Sequence, residues 1–530
     1  MSQNRNDQCS AKQLTETEKS ETPASRIRRK SRYYIIAAAL LALFLGALDA
    51  LVMSAAMPTI VADLGGLHLY SWVYSAYLLA RAVMLPVFGK LADIYKSKTL
   101  FVISICIFLL GSIFAGLAQS MTQLILARVL QGIGAGGNFA LVYIVLADIS
   151  APESRGKTLS LGSFIWGLAS VLGPTFGGFV VTFFSWRWIF FINVPLSLFS
   201  LLGISLYLIE VREKKKAATI DYLGAFTLSA AILSLLTVFL LAGRAYAWLS
   251  PQIILLLMIT IGSSMAFYYA EKQAPEPILS LNFFAVRGFR VGNGAAFLAS
   301  FTIFSLFAYS PLFIQGALGK TPMQMGMAML SLSLGWSAGA LSCGQIVNRF
   351  GKKSSAVLGS LCLAVGGTIM LTFSTSTSLT ACFIVLGLIG IGMGFVSMAT
   401  LLVVQDSLAA SDLGIATASH QFSRTLGGTV GVGISGSFVT LTISTAMDSL
   451  ISTGLANLSA SLSDQIKQNI ENLFRPEVQA LLSPDVQTIM KNAVAQGVFR
   501  VFLITLFASL VCLFFSVVLP GQTKSFRQNC

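Results

Sequence analysis

The chain contains fourteen apolar segments, each long enough for an α-helix to cross a lipid bilayer. One crossing needs about 20 apolar residues, because an α-helix rises about 1.5 Å per residue. Inside a bilayer the backbone has no water to bond, so such segments form helices. The sequence therefore predicts an all-α polytopic membrane protein. The segments lie near residues 33–57, 71–89, 100–118, 122–147, 158–182, 188–209, 222–242, 251–270, 290–314, 325–347, 354–373, 379–404, 415–441 and 498–519.

Composition agrees with a membrane protein and argues against other classes. Of the 530 residues, 55% are hydrophobic and only 11% are charged, which is too apolar for a soluble protein. The net charge of +14 could indicate nucleic-acid binding, but Lys and Arg fall in short clusters between the apolar segments. The seven cysteines include no C-x-x-C pair, so we expect reduced thiols and no metal site. The lipid bilayer is the expected partner, and nucleic acid is not.

Positive charges predict the orientation. An even number of segments places both termini on one side, and the loops on that side carry most of the Lys and Arg. The short loops on the other side hold only Arg187, Arg244 and Lys320. Because cytoplasmic loops are the positive ones, both termini are predicted to be cytoplasmic, with tails at 1–32 and 520–530. The run at 33–57 is too long for a signal peptide. We expect a multi-pass protein of the plasma membrane or bacterial inner membrane.

The two halves of the chain repeat. The polar turn Gly89–Lys98 recurs as Gly344–Lys353, and the glycines of 132–136 match those of 390–394 at an offset of 258 residues. This pattern predicts two six-helix bundles, at 33–210 and 290–519, separated by two extra helices within 211–289. A long polar segment, 443–496, precedes the last span on the outer side. It forms either short amphipathic helices over the outer mouth or a solvated loop.

One carboxylate stands apart from the other acidic residues. Of the 21 Asp and Glu residues, only Asp49 lies deep inside an apolar segment. Burial favours the neutral form of a carboxyl group, which suits a group that binds and releases protons. Arg128 lies at a similar depth, about 9 to 14 Å below the outer surface at 1.5 Å per residue. We therefore predict that Asp49 carries protons and that Arg128 modulates it. A fixed ion pair that only joins two helices is the alternative.

Several motifs resemble those of the major facilitator superfamily, and in particular its branch of drug:proton antiporters with fourteen spans. The turn after the second span resembles the loop G-x-L-a-D-r-x-G-r-k, although its second copy has Asn348 instead of the aspartate. Arg128-x-x-Gln131-Gly132 resembles R-x-x-Q-G, and the fifth span resembles the antiporter signature G-P-x-x-G-G. The resemblance implies gating or conformational roles for Gly89, Asp93, Lys98, Gly173, Pro174, Gly177, Gly178, Gly344, Asn348 and Arg349.

The resemblance also implies a function. It predicts two facing six-helix bundles that work by alternating access, as a proton-coupled antiporter that exports small amphipathic or cationic compounds. The expected partners are a small-molecule substrate and protons. The proton gradient supplies the energy without a cofactor, and the protein is expected to be a monomer. The candidate cavity residues are Tyr77, Arg81, Gln131, Asn138, His420, Gln421 and Arg424.

Two of these candidates leave alternatives open. Arg81 is a charge that the family pattern does not include, and it indicates either an anionic substrate or a local ion pair. His420 either titrates near neutral pH or, as is more common for a single histidine in a helix, forms a structural hydrogen bond.

Other functions are less well supported by the sequence. A dedicated exporter of one compound, such as a lipid, siderophore or amino acid, is the main alternative. A membrane sensor or scaffold is disfavoured because such a protein needs no charges in a cavity. An enzyme is disfavoured because the chain has no H-E-x-x-H, G-x-S-x-G or phosphate-binding loop. The string Gly132-x-Gly134-x-x-Gly137 matches a dinucleotide fingerprint, but it lies inside a spanning segment with no strand before it.

Overall fold

The computed structural model describes residues 29–64, 69–151, 154–210, 221–242, 246–274, 281–452 and 484–521. Most of both predicted tails and the centre of the predicted 443–496 segment lie outside these ranges. The helices are α1 (Arg29–Leu64), α2 (Tyr70–Ile94), α3 (Ser97–Gly116), α4 (Met121–Asp148), α5 (Arg155–Phe183), α6 (Trp188–Tyr207), α7 (Tyr222–Leu241), α8 (Pro251–Gln273), α9 (Arg287–Leu312), α10 (Pro322–Phe350), α11 (Lys352–Met370), α12 (Leu379–Asp406), α13 (Leu413–Ser452) and α14 (Pro484–Val518).

These helices confirm the predicted all-α membrane fold. Thirteen of them are long and apolar enough to cross a membrane. The remaining helix, α5, has 29 residues and packs between α1 and α10. With α5, the described part of the chain contains fourteen long helices, the number of spans that the sequence predicts.

Side chains at the helix starts explain several boundaries. Asp221 accepts a hydrogen bond from the Gly224 backbone N–H at 2.7 Å and so caps α7. Thr321 and Gln324 form a reciprocal capping box at the start of α10. Such caps satisfy backbone N–H groups that have no partner within the helix.

The helices on either side of the predicted 443–496 segment are longer than expected. α13 continues to Ser452 and α14 begins at Pro484, and residues 453–483 lie outside the described ranges. A helix satisfies its own backbone hydrogen bonds, and it can therefore continue beyond the apolar stretch that marks a span in the sequence. Ile489 on α14 packs against the apolar core of the second half.

The helices form two bundles and an added pair. α1 packs on α5 and α6, and α2 and α3 pack on α4. In the second half α12 packs on α10 and α11, while α9, α13 and α14 contact one another. The two bundles meet along two seams, α2 with α13 and α5 with α10. The added helix α7 covers the first seam and carries α8 on its outer side.

Candidate functional site

A buried polar network surrounds Asp49 in the first bundle. Asp49 on α1 forms an ion pair with Arg128 on α4, and both side chains are completely buried. Gln131, one turn further along α4, accepts a hydrogen bond from Arg128 Nη1 at 2.9 Å. Its Nε2 in turn donates to Asp49 Oδ1 at 3.2 Å and to Ser112 Oγ at 2.8 Å. The structure therefore brings together Asp49, Arg128 and Gln131, which the sequence singled out.

Two members of this network were missed by the sequence reasoning. Asn193 Nδ2 on α6 donates to Asp49 Oδ1 at 3.3 Å and to Ser112 Oγ at 3.4 Å. Ser112 lies on α3. Polar side chains are costly inside a bilayer, so an amide in the apolar run of the sixth span was a signal that could have found Asn193. Side chains from four helices thus form one network around this carboxylate.

Tyr77 lies between this network and Arg81. The Arg128 guanidinium lies over the Tyr77 ring at 4.2 Å, and the Arg81 guanidinium is 6.0 Å from the same ring. The Tyr77 hydroxyl donates to the Gly46 carbonyl at 2.9 Å, which holds the ring in place. Tyr77 is fully buried, so it separates the two arginines rather than lining an open cavity.

Arg81 lies on α2 and Arg424 lies on α13, the two helices that form the first seam. Arg81 also contacts the aromatic rings of Phe139, at 5.2 Å, and Trp166, at 5.7 Å. Arg424 lies 5.2 Å from the ring of Trp336 on α10. Each bundle therefore contributes one arginine and an aromatic surface to the space between them.

The other candidate cavity residues differ in their surroundings. Gln421 accepts a hydrogen bond from Arg424 Nη1 at 3.0 Å. His420 is fully buried, and its Nε2 lies 2.9 Å from Thr400 Oγ1 on α12. Asn138 accepts a hydrogen bond from Ser104 Oγ at 2.6 Å, so its side chain joins α4 to α3 rather than facing the other bundle.

The predicted cytoplasmic ends of the bundles are joined at the first seam by Asp93. Its two carboxylate oxygens accept hydrogen bonds from the backbone N–H groups of Gly414 and Ile415, at 2.8 and 2.9 Å. A carboxylate from α2 thus caps the start of α13. Gly89 lies one turn earlier, where a Cβ atom would meet Ala418 and would lie 3.1 Å from the Gly414 carbonyl oxygen. The absence of a side chain lets the two helices approach.

The second seam is joined at the same end. Asp406 at the end of α12 pairs with Lys352 and with Arg155 Nη1 at 3.4 Å, the latter across the seam. Gly344 on α10 lies against Gly156 on α5, where a Cβ atom on Gly344 would be 2.6 Å from the Gly156 carbonyl oxygen. Further along, Ser337 Oγ donates to the Ser163 carbonyl at 3.0 Å. The bundles are therefore in contact at the end predicted to be cytoplasmic.

The remaining gating candidates lie on α3, α5 and α10. Lys98 belongs to the first turn of α3, where Glu210 accepts hydrogen bonds from the backbone N–H groups of Ser97 and Lys98, at 3.1 and 3.4 Å. Asn348 and Arg349 form the end of α10. On α5, Gly173 faces Leu51, where a Cβ atom would be 2.8 Å from the Leu51 Cβ atom, whereas Gly178 has open space beside it. Pro174 and Gly177 continue that helix.

A second carboxylate of α1 lies at the opposite end of the molecule. Asp63 accepts hydrogen bonds from the indole N–H of Trp186 and from Arg187 Nη1, both at 2.9 Å. These bonds, that of Trp186 first, lower the pKa of Asp63 below its usual value of 3.8. Its side chain is 48% exposed. Two carboxylates on one helix thus occupy a buried and a solvated environment.

The fold and this arrangement of buried charges define a membrane transport protein. The family model of the Major Facilitator Superfamily matches residues 39–432. Multidrug transporter protein MdtP of Bacillus subtilis (strain 168) is 34% identical over 405 residues, which are 76% of this chain and 75% of that protein. Multidrug resistance protein 3 of the same organism is 32% identical over 413 residues, 78% of this chain and 80% of that protein. The chain belongs to the major facilitator superfamily.

A solved structure shows the same fold. The human organic anion transporter MFSD10 matches with a TM-score of 0.58 over 91% of this chain and 100% of its own. The two sequences are 14% identical, so this likeness concerns the fold alone.

Proposed function

We propose that this protein exports small amphipathic compounds by proton-coupled antiport, with Asp49 as the carboxylate that carries the proton. The supporting observation is the environment of Asp49. The other carboxylates in the described ranges lie near helix ends or between helices, whereas Asp49 is in the middle of α1 and 1% exposed. A carboxylate in such a site can bind or release a proton, and its hydrogen-bond partners change when it does so.

The network around Asp49 supplies those partners. In its ionised form Asp49 accepts from Arg128, Gln131 and Asn193. Protonation would weaken its attraction to Arg128, because the neutral carboxyl no longer balances the guanidinium charge. Arg128 also contacts Tyr77 and, through its Nε, the carbonyl of Val73, both on α2. A proton on Asp49 would therefore change the forces on α2, which forms one of the two seams.

Alternating access follows if the contacts at the joined ends can separate. We propose that Asp93 and the Arg155–Asp406 pair close the cytoplasmic end, and that Gly89 and Gly344 allow the close approach this requires. We also propose that both termini are cytoplasmic. The protein would act as a monomer in the bilayer, without a cofactor and with the proton gradient as its energy source.

The experiment is Asp49→Asn in purified protein reconstituted into liposomes. Asparagine keeps the shape and part of the hydrogen bonding but does not carry the proton. We expect uphill transport driven by a pH gradient to be lost, by about 100-fold or more, as is typical when an essential proton-transfer group is removed. The substitution leaves the buried Arg128 guanidinium without its counter-charge, so the unfolding temperature is expected to fall, and transport is compared for equal amounts of folded protein in the liposomes.

Asp63→Asn is the matched control, because it makes the same substitution on the same helix in a solvated position. Asp63→Asn should transport like the wild type. An uncoupler should stop transport in the wild type and in Asp63→Asn. Proton-driven transport that persists in Asp49→Asn would show that another group couples protons. Profiling a panel of substrates then separates broad efflux from dedicated export of one compound.

A further inference from the structure

We propose that the space between α2 and α13 binds an amphipathic organic anion, whose acidic group is held by Arg81 and Arg424 together. That this anion is also the exported compound rests on the proposed function. The binding site itself rests on the geometry of the described residues alone. The sequence left an anionic substrate and a local ion pair open for Arg81, and expected amphipathic or cationic compounds.

The direction of both arginines follows from the helix faces. Leu79 and Val83 of α2 pack with Phe422 and Leu426 of α13 against α7. Residues two positions apart point about 200° apart on an α-helix. Arg81 lies midway between the first pair, and Arg424 lies midway between the second. Each arginine therefore points away from α7, towards the interior between the bundles.

Neither arginine has a carboxylate partner among the described residues. The ion pairs there involve Arg128, Arg155, Arg187 and Lys352. Asp49, the buried carboxylate in the same region, forms its ion pair with Arg128. A guanidinium at this depth is costly without a counter-charge, and two of them repel each other. The local ion pair that the sequence left open for Arg81 is therefore not formed in this part of the chain.

The hydrogen-bonding capacity left over at this site consists largely of donors. Arg81 Nε, Arg424 Nε, Gln421 Nε2 and Trp336 Nε1 are buried and have no hydrogen-bond partner. The orientation of the Gln421 amide is fixed because its oxygen accepts from Arg424. Buried donors are normally paired. A carboxylate, sulfonate or phosphate group offers several acceptor oxygens and the missing negative charge, whereas a cationic ligand offers neither.

Aromatic rings from both bundles surround these donors. Phe139 and Trp166 of the first bundle contact each other edge to face at 5.9 Å, and both contact Arg81. In the second bundle Trp336 contacts Arg424 and, edge to face at 6.1 Å, Phe304. A ligand with an apolar ring next to its acidic group would be recognised by both parts. It would also touch both bundles, which is the position that alternating access needs for a substrate.

An anionic substrate has a consequence for energy coupling. Export of a monovalent anion in exchange for one proton moves two positive charge equivalents inwards. Export of a monovalent cation in the same exchange moves none. Each charge that crosses 100 mV contributes about 2.3 kcal/mol. A membrane potential alone, without a pH gradient, is therefore expected to drive export of the anion.

The first test is binding to the purified full-length protein in lipid nanodiscs, measured by calorimetry against empty nanodiscs. Three ligands with the same ring are compared: 1-naphthylacetate, 1-naphthylacetamide and 2-(1-naphthyl)ethylammonium. We expect the anion to bind roughly tenfold or more tightly than the neutral amide, since charge-assisted hydrogen bonds are the stronger ones. The cation should bind more weakly than either. This comparison uses the wild type and needs no variant to fold.

The second test assigns the charge to the two arginines. Arg81→Gln and Arg424→Gln should each weaken binding of the anion by roughly 10- to 100-fold, with little effect on the amide. Arg500→Gln is the matched control, because Arg500 is an exposed arginine on the peripheral helix α14. Arg81→Lys and Arg424→Lys keep the charge and should retain part of the affinity, which separates lost charge from lost folding.

Equal binding of the three ligands would overturn the proposal, and so would an equal effect of Arg500→Gln. Both results leave the proton-coupling role of Asp49 untouched. Selective anion binding together with transport that ignores the proton gradient would contradict the proposed function and leave the binding site in place.

Discussion

The duplicated helices α4 and α12 share their packing surface but not their chemistry. Gly132 and Gly136 of α4 lie against α2, where added Cβ atoms would be 2.6 and 2.7 Å from the carbonyl oxygens of Tyr77 and Arg81. Gly390 and Gly394 of α12 lie against α10 in the same way. Close helix contacts at small residues are a common way to pack helices in lipid.

The polar positions of the two helices differ completely. Where α4 carries Arg128, Gln131 and Asn138, the equivalent positions of α12 carry Leu386, Ile389 and Val396. All six side chains are buried. The repeat therefore preserves the contacts that build a bundle, while of these two helices α4 carries a charged network and α12 carries apolar side chains at the equivalent positions. We infer that the first bundle holds the proton and that the second contributes to the substrate site through Arg424 and Trp336.

The largest effect is expected when Arg128 of α4 is replaced by leucine, the residue at the equivalent position of α12. Arg128→Leu leaves the buried Asp49 carboxylate without its counter-charge, and breaking a buried pair in this way costs about 3–5 kcal/mol. We expect a much lower thermal unfolding temperature in detergent and no proton-driven transport. Leu386→Met, at the equivalent position of α12, is the control and should behave like the wild type.

The double variant Asp49→Asn with Arg128→Leu sharpens this comparison. It removes both charges, so much of the lost stability should return while transport stays absent. If instead the double variant transports with proton coupling, the pair is only structural, as the alternative interpretation of the sequence holds. If Leu386→Met is as harmful as Arg128→Leu, the two helices do not differ in the way we infer.

An intermediate effect is expected at the two seams. The first half contributes a carboxylate to the first seam, and the second half contributes one to the second seam. Asp93 of the first half is 2% exposed and caps α13 with two hydrogen bonds. Asp406 of the second half is 41% exposed on its side chain and forms surface ion pairs. Asp93→Ala should shift the equilibrium towards separated ends by about 1–3 kcal/mol, and Asp406→Ala by at most about 1 kcal/mol.

Spin labels on α2 and α13 near the joined ends would measure both shifts by double electron–electron resonance. A longer distance population should grow in Asp93→Ala and change little in Asp406→Ala. The reverse order would mean that the second seam, between α5 and α10, holds the bundles together.

The smallest effect is expected for the other carboxylate of the first half, Asp63. Its lowered pKa means that its contribution to stability is present above the unfolded value of 3.8 and is lost only as the pH falls through the lower folded value. Asp63→Asn should therefore change the unfolding temperature by the same small amount at about pH 5.5 and about pH 7.5. A pH-dependent difference in that range would show that Asp63 titrates there, and that burial is not what separates it from Asp49.

Much of the fold could be predicted from residues in order along the chain. Apolar length set the number of helices, and the second copies of the Gly89 turn and the Gly132 run gave the duplication. The ends of α13 and α14 were less accurate, because a helix that leaves the bilayer loses its apolar signal but not its backbone hydrogen bonds. The contact between Asp49 and Arg128 was anticipated because the same rise per residue places both at one depth.

The sequence by itself determined which charges lie inside the membrane, because hydropathy and helical rise are properties of a single segment. Only the tertiary structure decided their partners. Asn193 and Ser112 join Asp49, Tyr77 separates Arg128 from Arg81, and Asn138 turns to α3. The aromatic contacts of Arg81 and Arg424 likewise depend on how α2 and α13 are rotated about their axes. That rotation is set by packing against α7 and the neighbouring helices, which are far apart in the sequence.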